Sequence, residues 1–316
     1  MVCFLKTYGL ILVLCLPVSL VNALEPSPEY WQLATTDNKL GFASNLWVQY
    51  SHSHANQAYQ QQMPGFKMKT HGYSLGWNTA LGKEQEITTG VFYTAARGDI
   101  HSKDDNSQLD TKDHIVGINT SWYEDNFFFH GQLQYARGEN RGNQDQHKLR
   151  YDNQHRGFSL NAGYTYALGQ HWQWQPWASF NRYTIETDNV HSQTRLPLNR
   201  PFWNHPINKK YHIKEAGGGL RLMGSLNTGT LLFKPEMGIK GFHNFKDDPI
   251  DVVASFDKAG TLFMIDATST DRRRYQFDLG LALEHANQTF LTLKYAHQWL
   301  DNFKVDGFIA IMRYEF

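Results

Sequence analysis

Residues His114–Arg137 read HIVGINTSWYEDNFFFHGQLQYAR, two long alternating runs with almost nothing between them. In the first, Val116, Ile118, Thr120 and Trp122 share one face, with Gly117, Asn119 and Ser121 on the other. In the second, Phe127, Phe129, Leu133 and Tyr135 oppose Phe128, His130, Gln132 and Gln134. Period-two alternation marks a strand, because successive side chains leave a pleated backbone on opposite sides. The link is Glu124-Asp125, short enough for a tight antiparallel hairpin.

The same pattern recurs along the chain. SNLWVQYSHSH (Ser44–His54), THGYSLGWNTAL (Thr70–Leu81) and EITTGVFYTAA (from Glu86) precede the hairpin. GFSLNAGYTYAL, WQWQPWASFNRY (Trp172–Tyr183), EAGGGLRLM, LFKPEMGIKGFHNF, RYQFDLGLALEHA, TFLTLKYAHQW and the final DGFIAIMRYEF (Asp306–Phe316) follow it, giving twelve candidate strands. Their polar faces carry Gly, Ser, Asn, Gln and isolated charges rather than the Lys and Glu mixture of a solvated sheet. Each run holds about 10 to 13 residues, enough to cross a bilayer at a tilt, where a globular strand averages about half that.

The connections separate a membrane barrel from a sandwich. Long polar stretches such as RGDIHSKDDNSQLDTKD, GENRGNQDQHKLRYDNQHR and TDNVHSQTRLPLNRPFWNHPINKK alternate with short ones, GKEQ, ED, GQ, NTG and NQ. Long extracellular loops and tight periplasmic turns are the mark of an outer-membrane barrel, and a sandwich has no reason to sort its loops. The expected fold is therefore all-β, a twelve-stranded antiparallel up-and-down transmembrane β-barrel over residues 44–316. An even strand count puts both chain ends in the periplasm. Trp47, Trp77, Trp122, Tyr123, Phe127, Trp172, Trp174 and Phe233 fall near the short-turn ends, where an interfacial girdle would lie.

MVCFLKTYGLILVLCLPVSLVNA has the basic, apolar and small-residue order of a secretory signal peptide, residues 1–23, with cleavage after Ala23. Its apolar run is shorter than the roughly 20 residues of a spanning helix. Both cysteines, Cys3 and Cys15, fall inside it, so the mature chain has no disulfide. Net charge is +0 and the basic residues are scattered, which gives no footprint for nucleic acid. Aromatics make up 14% of a polar chain, which suits a barrel with an apolar lipid face and a wet lumen.

The succession NLWVQYS, GYSLGWNTAL, FSLNAGYTYAL, WQWQPWASF, GGGLRL, LFKPEMGIKGFHNFKDD, FDLGLALE and MRYEF resembles the autotransporter β-domain, the translocator barrel of type V secretion, over about Phe42 to Phe316. The resemblance implies a twelve-stranded outer-membrane barrel, with a lumen occupied by a helix or linker leading to an exported passenger. It also implies insertion by the outer-membrane barrel assembly machinery through a C-terminal aromatic signal, for which Tyr314 and Phe316 stand. Residues 24–43 are too short for a secreted domain and are expected to form a periplasmic or lumenal segment, so the expectation is a stand-alone barrel.

By parity, Glu215, Arg221, Lys234, Glu236, Lys240, Asp278 and Lys294 face the lumen, where charge is tolerable if wet or paired. Such residues line a pore, hold a plug or brace the wall. Arg273, in the run Arg272–Arg274, faces outward at the mouth and is placed to meet lipopolysaccharide phosphate, since a guanidinium matches phosphate geometry. His52 and His54 share an outward face without a third ligand, so neither a metal site nor any cofactor is expected. Ser51 and Ser53 point the other way, which separates the nucleophile from the base that a membrane phospholipase would need and argues against an enzyme. The expected partners are membrane lipid and lipopolysaccharide around a monomer. A passive channel, or an adhesin acting through LPLNRPFWNHPINKK, are the alternative functions.

Overall fold

A computed structural model describes residues 44–58, 65–81, 86–103, 108–144, 147–187, 191–194, 209–245, 250–255, 262–267, 273–285, 289–300 and 303–316. The expected leader, residues 1–23, residues 24–43 and most of LPLNRPFWNHPINKK lie outside them. Twelve staves make the barrel: β1 (Ser44–Gln57), β2 (Phe66–Leu81), β3 (Ile87–Ser102), β4 (Gln108–Glu124), β5 (Phe127–Gln144), β6 (His147–Tyr164), β7 (Trp172–Thr187), β8 (Lys209–Gly224), β9 (Leu231–Asn244), β10 (Arg273–His285), β11 (Thr289–Leu300) and β12 (Phe303–Glu315). Each pairs antiparallel with its sequence neighbours, and β12 returns to β1 in continuous register from Asn45↔Glu315 to Gln57↔Phe303. The Phe316 amide donates to the Ser44 carbonyl at 3.0 Å, which ties the seam at its lower end.

Alternation becomes inside and outside. On β1, Leu46 and Val48 are 45% and 46% exposed, while the intervening Trp47 is 3%. Trp47 is therefore a lumen residue rather than part of the girdle. It packs inside with Phe92, Ile115, Ala136, Ile309 and Ile311. Around the short-turn rim, Trp122 meets Phe127 at 5.7 Å, Tyr164 meets Tyr166 at 4.6 Å and Tyr166 stacks on Trp174 at 4.9 Å. A second outward aromatic set, including Tyr275 stacked on Trp299, lies at the other end, so both interfaces are marked.

The short turns use residues that suit left-handed backbone. Asp125 has φ 51 between β4 and β5, a conformation that Asp tolerates better than most side chains. Gly229 has φ 93 between Leu226–Asn227 and β9, where the Asn227 side-chain oxygen accepts from its amide at 2.7 Å.

Two expected long loops prove to be mostly strand. β3 and β4 continue to Ser102 and from Gln108, and β5 and β6 leave only residues 145–146 between them. Strands run to 18 residues, longer than the apolar alternation suggested. Above the lipid the outward positions turn polar while Ile100, Leu109 and Tyr151 lie buried inside with Phe66 and Met68, so pairing continues while the apolar-outward period vanishes. Outward positions there are Arg97, Asp99, Lys112, Arg137 and Arg141, and Arg137 bridges to Asp152 at 3.4 Å across β5 and β6. The stretch between β7 and β8 contributes His191–Thr194 to the same sheet, paired with His147–Arg150. Ile250–Ser255 and Leu262–Ala267 form a separate hairpin between β9 and β10.

The seam is directly testable. Since Ser44 and Phe316 form a hydrogen-bonded pair, the alternate pair Ser51↔Ile309 is of the closer, non-hydrogen-bonded kind, within reach of a disulfide. A Ser51→Cys/Ile309→Cys variant oxidised after folding should cross-link and shift in gel mobility unless reduced. The offset combination Ser51→Cys/Ile311→Cys should not.

Candidate functional site

The candidate site is the lumen wall, and its two halves differ in chemistry. On β1–β7 the inward positions are mainly amides and hydroxyls, such as Asn45, Gln49, Asn78, Asn119, Gln132 and Asn161, all buried. Asn45 accepts from the Asn78 amide at 3.1 Å, and Ser159 donates to Asn181 at 2.6 Å. On β8–β12 the wall is ionic. Arg221, Lys234, Glu236, Asp278 and Lys294 are all buried, and the Lys240 and Glu215 side chains are nearly so.

These charges neutralise one another. Lys240 bridges Asp278 at 3.1 Å, Lys234 bridges Glu284 at 3.0 Å and Lys294 bridges Glu236 at 3.3 Å. Glu236 and Lys294 are not on adjacent strands. The register places Gly280 of β10 between them, and a Cβ there would collide with the Glu236 side chain. The glycine thus forms a saddle over which two long side chains meet. Arg221 and Asp278 flank Gly238 in the same manner, and Arg221 feels both Glu236 and Asp278. Gln276 donates to Asp278 at 2.6 Å and Gln298 donates to Gln276 at 3.3 Å, which extends the network along β10 and β11.

Four network members escape a search for isolated charges. Arg274 turns inward, donates to Glu215 at 2.5 Å and lies over the Phe242 ring at 4.1 Å, while its neighbour Arg273 is exposed outside. Glu284 completes the Lys234 pair. Arg313 and Glu315 bridge at 3.3 Å, with Arg313 over the Phe290 ring at 3.9 Å. Parity alone assigns each of them to the lumen, so the signal was present in the pattern.

The other singled-out residues fall on the outer surface. Tyr314 and Phe316 are 48% and 56% exposed and stack with ring centres 6.3 Å apart. His52 and His54 point outward, His52 in register with His71 and His54 with Asp306. Asp306 accepts from the Tyr295 hydroxyl at 2.6 Å and pairs with His297 at 2.8 Å. Among the described residues no group of three or more His, Cys, Asp or Glu is arranged to hold a metal.

The closed twelve-stranded barrel agrees with a family match. The family model "Autotransporter beta-domain" matches residues 46–296. The chain belongs to the autotransporter β-domain family. Solved translocator domains share the fold at low identity. The translocator domain of NalP from Neisseria meningitidis superposes with TM-score 0.69 at 12% identity, covering 88% of this chain and 90% of that one. The beta domain of the Bordetella autotransporter Brka gives 0.66 at 15% identity, covering 87% and 100%. The transport unit of AIDA-I from Escherichia coli gives 0.62 at 14%, covering 91% and 97%. No curated protein sequence matches the chain. As a β-domain of this family, the protein is an outer-membrane translocator-like barrel.

Removing one partner of a buried pair strands the other charge, a loss of about 3–5 kcal/mol. Glu236→Gln should lower the urea midpoint of the detergent-folded barrel accordingly. Lys294→Met/Glu236→Met should recover part of that loss, Arg221 keeping Asp278 as its carboxylate neighbour.

Proposed function

We propose that the barrel is a non-catalytic translocator-type protein whose lumen is braced by its own ion pairs and does not conduct freely. The observation that carries this reading is the pairing on the wall of β8–β12, where cations and carboxylates meet at 2.5–3.3 Å. An open channel draws on charges that stay hydrated and available to a passing ion. Here each carboxylate of the network already has a cation. In planar bilayers the purified barrel should be silent, and steady ion steps would replace this reading with a passive channel.

The end holding Ser44, Phe316 and the short turns is assigned to the periplasm, and the ribbons of β3–β6 to the cell surface, where they are the elements available for adhesion or display. Family membership supports a second reading, export of polypeptide preceding Ser44 through the lumen. An epitope inserted between Ala23 and Ser44 should become protease-accessible on intact cells if the barrel exports. Protection of the epitope would leave the stand-alone barrel.

Three partners are assigned on chemistry. The exposed stack of Tyr314 and Phe316 is offered to the barrel assembly machinery, and Arg273, outside and free of the lumen network, to lipopolysaccharide phosphate. The continuous apolar outer face suits lipid contact by a monomer. Deleting Phe316 should sharply lower the amount of folded, heat-modifiable barrel in the membrane, as read on unheated gels. Arg273→Ala should reduce co-purifying lipopolysaccharide without changing folding.

A further inference from the structure

The β4–β7 wall holds a buried acid that the ionic network does not reach. Asp113 is 4% exposed, and among the described residues it makes neither an ion pair nor a hydrogen bond. Its register row runs Asp113, Gly138, Asn153, Thr187. A Cβ at Gly138 would collide at once with Asp113 Oδ1 and Asn153 Oδ1, so two side-chain oxygens converge over that glycine. Asn140, 0% exposed, lies in the neighbouring row beside Thr111, and His155, 3% exposed, follows on β6. Both side-chain polar atoms of Asn140, of Asn153 and of His155 lack a hydrogen-bond partner among the described residues.

This is the saddle geometry of the ionic wall with one part changed. Over Gly280 a lysine meets a carboxylate, and beside Gly238 an arginine meets one. Over Gly138 a carboxylate meets an amide oxygen, with no cationic side chain paired to it among the described residues. A buried unpaired carboxylate costs several kcal/mol, and buried amides without partners are rare in native proteins. A proton on Asp113 would satisfy one oxygen and leave Asn140 and His155 as they are. A hard cation uses the carboxylate and the amide oxygens together, which is the kind of oxygen donor set that such ions prefer, while the Thr111 hydroxyl donates to the Gly98 carbonyl on β3 at 3.5 Å.

We propose that Asp113, Asn140 and Asn153 form a lumenal binding site for a hard, oxygen-seeking metal cation of the calcium class. His155 borders the site and is placed to bond a water carried by the ion. The site stands apart from the β8–β12 network and does not depend on whether the barrel conducts or exports.

The full-length barrel, folded and purified in detergent, is titrated with Tb³⁺ and read by luminescence sensitised through aromatic side chains such as Tyr151, the register partner of Asn140. Saturable emission displaced by Ca²⁺ is expected, with affinity weakened about tenfold or more in Asp113→Asn and lowered in Asn153→Ala. Asp110→Asn, which removes an exposed carboxylate on the same strand, should leave it unchanged. Heat modifiability verifies that each variant is folded. The wild-type barrel should also unfold at a lower temperature in EDTA than in Ca²⁺, a measurement that needs no variant. Absence of saturable emission from the folded wild type, or emission untouched by Asp113→Asn, overturns the proposal. Asp113 would then be a protonated acid or bonded directly to the Asn153 amide.

Discussion

Hydrocarbon offers no partner to a backbone amide, so every N–H and C=O at membrane depth must find one within the chain. A sheet meets that demand only by closing on itself, and here closure rests on the ladder between β1 and β12, anchored by the Phe316 amide on the Ser44 carbonyl. Everything else in the molecule inherits that register. A slip of one residue anywhere in the ladder would turn Leu46 and Val48 into the lumen and Trp47 and Gln49 into lipid. The closed sheet therefore decides which side chains meet water, which meet acyl chains and which meet one another.

With the faces set, the charges inside have to be compensated where they stand. The ionic wall does this partly between neighbouring staves, Lys240 with Asp278 and Lys234 with Glu284, and partly across an intervening one, where Lys294 reaches Glu236 over Gly280. The amide wall is largely neutral and needs no such pairing, except at Asp113. The same saddle thus holds a salt bridge on one side of the barrel and an oxygen cluster on the other. What differs is the side chain facing the carboxylate across the glycine, and that difference carries the cation assignment.

The membrane-spanning middle of each stave was legible because lipid outside and polar lumen inside impose a two-residue period on the sequence. His114–Arg137 shows it within a single hairpin. The apolar-outward period is lost where β3–β6 rise above the lipid, since Arg97, Lys112 and Arg137 then face outward while Ile100, Leu109 and Tyr151 are buried inside. Backbone pairing does not need hydrophobicity, so strands continued where the pattern suggested loops. Trp47 was misassigned for a related reason: proximity to a strand end suggested an interface, whereas parity alone sets the direction of the side chain. The inward charges followed from parity, and Arg274, Glu284, Arg313 and Glu315 obey the same rule.

The sequence by itself determined the architecture, the strand number and the face on which each spanning residue lies, because those depend on local alternation and on the lengths of neighbouring connections. Which charges pair was decided only by the tertiary structure. Glu236 and Lys294 are far apart in sequence and sit on staves separated by β10, and nothing local states that Gly280 lies between them. Asp113 and Asn153 likewise meet only when β5 brings Gly138 between β4 and β6. Such contacts depend on the register of several strands at once, a property of the closed sheet and of no single segment.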